Sequence, residues 1–201
     1  MREVLMSIQP KWCADIANLK KPIEVRKTKP NLQTPFKVCI YATQPKKWFR
    51  YSSFGYASEE SLWLVNGKVK MSNGFEFWGN GEKCECLNGK VIGEFICDEI
   101  EEFTEAFFDE QEPRDTEEIR YYLDQFNMSY SELYAYVGSK NFYGWHISQF
   151  KIYDKPKELS EFFHACKQPN GTDCSKCIDR KEKTCYSLKR PPQSWCYAEE
   201  V

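Results

Sequence analysis

The sequence predicts an α+β domain carrying a cysteine-rich appendage, and three observations lead there. Residues 4–8, 36–42, 90–100 and 143–153 are dense in apolar, β-branched and aromatic residues, as strands are. Stretches near 12–19, 116–126 and 131–137 instead space their apolar residues at helical intervals. The segment 158–201 then brings together four closely spaced cysteines with few apolar residues between them.

Val4, Leu5, Met6 and Ile8 make the first strand, which runs into Gln9-Pro10. Trp12, Ile16 and Leu19 fall on one face of a helix. In Lys21–Lys27, Ile23 and Val25 alternate with Glu24 and Arg26, so this strand has one apolar and one polar face. Glu24 and Arg26 stand side by side on the polar face, with Lys21 at the strand entrance. A carboxylate between cations suits a polar ligand, and it equally suits a surface ion pair on a half-buried strand. The lysines and prolines of 27–35 read as a loop, and Phe36–Ala42 as a largely buried strand.

An insertion is expected at about 45–88. It opens with Lys46-Lys47-Trp48-Phe49-Arg50, where cations alternate with rings. That pattern fits a nucleic-acid strand, cations on phosphates and rings on bases, and it also fits a loop covering the core edge. Asn66-Gly67 between two apolar runs signals a hairpin. Cys84 and Cys86 read as plain thiols. Lys90–Ile100 is the clearest strand. The acidic stretch 101–118 reads as a loop entering a helix over 116–126, with Ile119, Leu123 and Phe126 on one face. Ser129 or Ser131 caps a second helix that Gly138 ends. Tyr143–Tyr153 is a strand closed by Asp154-Lys155-Pro156, and it carries His146, one of two histidines.

With 201 residues, 41% of them hydrophobic and 16% aromatic, the chain can bury a real core. Its formal net charge of −2 means that nucleic-acid binding has to rest on a local basic patch. The sequence shows neither a secretory signal pattern nor an apolar run long enough to span a bilayer, so a cytoplasmic protein without membrane contact is expected. Ten cysteines in such a compartment point to free thiols or metal ligands. Cys166, Cys174, Cys177 and Cys185 form a C-x7-C-x2-C-x7-C array. Two thiolates of a C-x2-C knuckle reach one ion and the flanking pair completes a tetrahedral sulfur set, which is zinc chemistry of the structural kind. His164 and Cys196 are substitute ligands.

The order of strand, S-I-x-P-K, helix, K-x-x-E-x-R-K and proline over residues 7–30 resembles the ASCH domain family of the PUA-like superfamily. That family's hallmark is a G-x-K-x-x-E-x-R segment. Lys21, Glu24 and Arg26 fit it, while Leu19 stands at the glycine. The segments 143–156 and 190–197 are similar to those of phage and prophage members. The resemblance implies a small twisted β-barrel with flanking helices over 1–157, to which the cysteine spacing adds a zinc-knuckle-like segment over 158–201. It places the charged trio in a cleft, with Trp12 and His146 as neighbours.

Three functions are weighed. The first is binding of RNA, single-stranded nucleic acid or a modified nucleotide, since PUA-like domains are associated with RNA and modified bases. Lys21, Glu24, Arg26, Lys27, Lys46, Lys47, Trp48, Arg50, Trp12 and His146 would serve it. The second is hydrolysis, of nucleoside amides or RNA, with Lys21 and Glu24 as catalytic residues. In the amidohydrolase members a threonine stands where Glu24 is found, so Glu24 would act as a general base toward water. The third is an interaction with a host protein through the aromatic insertion.

Overall fold

The computed structural model describes residues 3–44, 49–51, 55–57, 61–72, 83–108, 116–164 and 188–200, with backbone alone at 49–51, 55–57, 164 and 200. In chain order the strands are β1 (Glu3–Ile8), β2 (Ile23–Arg26), β3 (Phe36–Ala42), β4 (Phe49–Tyr51), β5 (Gly55–Ala57), β6 (Leu62–Val65), β7 (Lys68–Met71), β8 (Cys84–Cys86), β9 (Val91–Phe103), β10 (Phe142–Lys157), β11 (Phe162–His164) and β12 (Trp195–Glu200). The helices are α1 (Pro10–Ala17), α2 (Glu117–Phe126) and α3 (Tyr130–Val137). The architecture is therefore α+β.

Seven strands form one sheet in the order β11-β12-β1-β3-β9-β10-β2, and only the β1–β3 pair is parallel. Both faces of this sheet are covered, which explains the almost unbroken apolar runs of β1 and β3. Val4, Met6 and Ile8 pack with Val38, Ile40 and Phe95 and with Cys13 and Ile16 of α1. Leu5 and Cys39, one residue out of phase, pack on the other side with Tyr153, Phe162 and Leu188. A third cluster seats α2 and α3 through Phe126, Leu133 and Val137 on Ile23, Val25, Phe103 and Phe142.

The expected barrel is not closed by strand pairing among the described residues: β11 and β2 are edges. The sheet nevertheless curls, because Arg26 of the edge strand β2 donates from Nη2 to the Ser7 carbonyl of β1 at 2.9 Å, although three strands lie between them in the sheet order. The β2–β3 connection adds to this closure. Trp195 Nε1 donates to Thr28 Oγ1 at 3.0 Å, and the Asn31 amide donates to the Tyr197 hydroxyl at 2.8 Å.

Several boundaries differ from the sequence reading. The first helix ends at Ala17, and Leu19 is exposed rather than on its apolar face. The acidic stretch is not loop from its start: β9 runs to Phe103, with Glu101 and Glu102 paired to Gly144 and Tyr143. β10 continues through Asp154–Pro156 to Lys157, where a register shift between Ile152 and Lys157 leaves room for a proline without a donor. The insertion's hairpin forms as β6–β7 around Asn66 and Gly67, both at positive φ, and Leu62, Val69 and Leu87 lie in the main core. The strands β11 and β12, within the segment expected as an appendage, belong to the main sheet.

Candidate functional site

Lys21, Glu24 and Arg26 are brought together, and they are buried: 2%, 4% and 6% exposed. The alternative of a surface ion pair is thereby overturned. All four residues of β2 are buried because both of its faces are covered. Ile23 and Val25 face the α2–α3 cluster, while Glu24 and Arg26 face the interior of the curled sheet.

The cations grip the carboxylate unequally. Arg26 Nη2 meets Glu24 Oε1 at 2.9 Å. Lys21 Nζ stands 3.7 Å from Glu24 Oε2, an ion-pair distance too long for a hydrogen bond. Instead Lys21 donates to the Phe126 carbonyl at the end of α2 and lies 4.8 Å from the Trp12 ring centroid. Burial lowers the Lys21 pKa, and Glu24 opposes that shift. The neighbouring Cys13 thiol is pushed well up, first by burial and then by Glu24.

Three buried polar atoms here have no hydrogen-bond partner: Glu24 Oε2, Arg26 Nε and Trp145 Nε1. Trp145 belongs to this face because β10 pairs antiparallel with β2 and sets Trp145 opposite Glu24 and Tyr143 opposite Arg26. Ring contacts hold it, with Phe36 edge-on at 5.6 Å and Trp195 at 5.9 Å. Sequence reasoning missed Trp145, Ser7 and Trp195. The pairing register reveals Trp145, the bond from Arg26 reveals Ser7, and the ring contact with Trp145 reveals Trp195.

His146 is not a neighbour of the trio. It pairs with Ile23 and so stands on the opposite face, where its Nε2 faces Glu101 at 3.4 Å without a hydrogen bond. Tyr122 donates to that same carboxylate at 2.5 Å, which raises the tyrosine pKa to about 12. Lys27 is exposed, with its ammonium 5.2 Å from the Tyr136 ring centroid, while Trp12 is half-buried beside Lys21. Lys46, Lys47 and Trp48 lie outside the described residues, as does the side chain of Arg50 in β4. The same holds for Cys166, Cys174, Cys177 and Cys185 and for the side chain of His164. Cys196 lies half-buried in β12, and burial lifts its thiol to about 11.

A groove of about 620 Å³ runs beside α1 and the α2–α3 turn. Its cations Lys11, Lys20 and Arg120 are matched by Asp15, Asp124 and Glu132, so it offers no net charge to a phosphate chain.

No family model and no curated protein matches this sequence. Among solved structures, that of ASCH from Zymomonas mobilis superposes with a TM-score of 0.51 at 15% identity, covering 97% of this chain and 86% of that one. A single-substitution variant of the same protein gives a TM-score of 0.51 at 14% identity, covering 97% and 87%. At such identity the likeness concerns the fold, and the fold of this chain is that of the Zymomonas mobilis ASCH protein.

Proposed function

We propose that the protein binds RNA or a modified nucleotide at the face carrying Lys21, Glu24 and Arg26. One observation supports this above all: a buried carboxylate set between two buried cations keeps an oxygen that makes no hydrogen bond. Buried unpaired polar atoms are few in folded proteins, and a buried ion pair adds little stability that apolar residues could not supply. A nucleotide would use the remaining capacity, with its base or phosphate oxygens on the cations and a base N–H on Glu24. Lys27, Lys46, Lys47 and Arg50 would add phosphate contacts that raise affinity without reading sequence.

Binding of single-stranded RNA, followed by fluorescence anisotropy over a salt series, tests the proposal. Affinity should fall steeply with salt, and neutralising Lys46, Lys47 and Arg50 together should flatten the slope. Glu24→Gln should change which base is preferred; it also leaves Lys21 and Arg26 buried without their carboxylate and so lowers the melting temperature, and binding is compared well below the variant's own transition. Absence of binding to any RNA at low salt, or binding indifferent to Glu24→Gln, would count against the site.

A hydrolytic reading has its own support. Burial lowers the Lys21 pKa, and the Glu24 oxygen 3.7 Å from its Nζ makes no hydrogen bond and so has capacity to take a proton from water. If the protein cleaves a nucleoside amide or RNA, Glu24→Gln should cut turnover by about two orders of magnitude or more.

A further inference from the structure

We infer that this face reads the imide edge of a pyrimidine, an N–H between two carbonyls, so that the ligand carries a uracil-type base. The inference rests on the nucleotide-binding proposal and sharpens it. Glu24 is the common neighbour of Arg26, two residues along the same strand, and of Trp145, its partner across the ladder. Each is more than nine-tenths buried, and each keeps one polar atom without a hydrogen-bond partner. Arg26 Nε and Trp145 Nε1 can only donate, and Glu24 Oε2 as a carboxylate oxygen can only accept. The pattern is donor, acceptor, donor.

Its complement is acceptor, donor, acceptor. Uracil has it in O4, N3–H and O2. Cytosine has a donor and two acceptors in a row, and guanine has an acceptor followed by two donors. Either base would set two like groups against each other at one or more of the three positions, and adenine lacks the third. A site built from buried donors and acceptors rejects a ligand that leaves them unpaired more strongly than an apolar pocket does.

The three groups are also held in place. The Arg26 Nη2 atom is fixed by both Glu24 Oε1, at 2.9 Å, and the Ser7 carbonyl, at 2.9 Å, which aims Nε. The Trp145 ring is held between Phe36 and Trp195. Lys21 is directed to the Phe126 carbonyl and so leaves Glu24 Oε2 open to a ligand N–H. Trp195 is half-buried, packs against the Trp145 ring and is hydrogen-bonded to Thr28.

The test uses the full chain with 15N-labelled indoles and three single-stranded oligomers of equal length: uridylate, N3-methyluridylate and cytidylate. The Trp145 indole resonance is assigned by its loss in Trp145→Phe. That resonance should shift on adding oligouridylate, and both N3-methylation and exchange for cytidylate should weaken binding at least about tenfold. Methylation alters the ligand alone, so this comparison holds even if Trp145→Phe folds poorly. Equal affinity for the three oligomers, or a stationary indole resonance, would overturn the inference, since ordered water would then account for the three atoms. Equal and salt-sensitive binding would leave the nucleic-acid proposal standing, whereas failure of all three to bind at low salt would remove both.

Discussion

Leu19 occupies a left-handed backbone conformation, with φ of 57°, and is 82% exposed. An L-residue there is strained by about 1–2 kcal/mol, and the exposed side chain recovers little of that through burial. Glycine at this position would remove the strain but would also make the unfolded chain more flexible. Leu19→Gly should therefore be neutral or stabilise by up to about 1 kcal/mol in urea unfolding, and Leu19→Ala should bring no gain. A clear loss of stability in the glycine variant would show that Leu19 makes contacts that matter. The position also shows what was legible at single residues. Leu19 stands where the resembled hallmark has glycine, and its backbone takes the positive φ that glycine adopts freely. The nearness of Lys21, Glu24 and Arg26 could be read because all three fall within one short segment. Their burial could not, because it depends on β1, β10 and β12, which are distant in sequence. For the same reason the sequence points to His146 where Trp145 is the residue facing Glu24: a shift of one position along a strand exchanges the two faces.

Among the elements, α3 carries the most local set of instructions. Ser129 accepts from the Glu132 amide at 3.2 Å while the Glu132 carboxylate accepts from the Ser129 amide at 2.9 Å, a complete capping box. Lys11 of α1 also binds Glu132, at 2.8 Å. The bond from Lys11, followed by those from Ser129, holds the Glu132 carboxyl down at about 2, against an ordinary 4.5. A carboxyl with a depressed folded-state pKa stabilises fully above its unfolded value and loses that contribution as pH falls toward the folded one. Glu132→Gln keeps a side-chain oxygen for the Ser129 amide and loses only the charge, so it should cost up to about 1 kcal/mol at neutral pH, because solvent weakens the exposed Lys11 pair. The difference from wild type should shrink between about pH 4.5 and about pH 2. A difference constant over that range, measured by chemical unfolding, would refute the assignment. The sequence offered Ser129 or Ser131 for this cap, and Glu132 three residues after Ser129 decides for Ser129, while Asn66-Gly67 alone marked the β6–β7 hairpin. The ends of β9 and β10 were not marked. Their acidic and proline-bearing tails look like loop until each strand supplies the other's partner.

Across the whole molecule, the cysteine-bearing segment is tied to the sheet at its base. Phe162, Phe163 and His164 of β11 pair with Glu200, Glu199 and Ala198 of β12. The Leu188 amide donates to the Phe162 carbonyl at 2.8 Å, and Leu188 and Phe162 are buried in one cluster with Leu5 and Cys39. The described residues on either side of 165–187 are therefore held together by the fold itself. Closing a chain of that length opposes folding only weakly once its ends are joined. Cys166, Cys174, Cys177 and Cys185 then need only gather around an ion, and four thiolates are the donor set of a structural zinc site. The residues between them could form no apolar core, so metal binding would supply the ordering free energy. We therefore propose one zinc per chain, with a role confined to this segment. Elemental analysis should give about one equivalent of zinc, as four thiolates for one ion require. Chelation should expose the four thiols to alkylation and order should be lost over 165–187 in hydrogen exchange. The main transition should persist, because β11, β12 and Leu188 are secured by the sheet and its apolar cluster rather than by the cysteines. Thiols that alkylate freely in metal-replete protein would rule the site out, and collapse of the whole fold on chelation would show that the metal supports more than this segment.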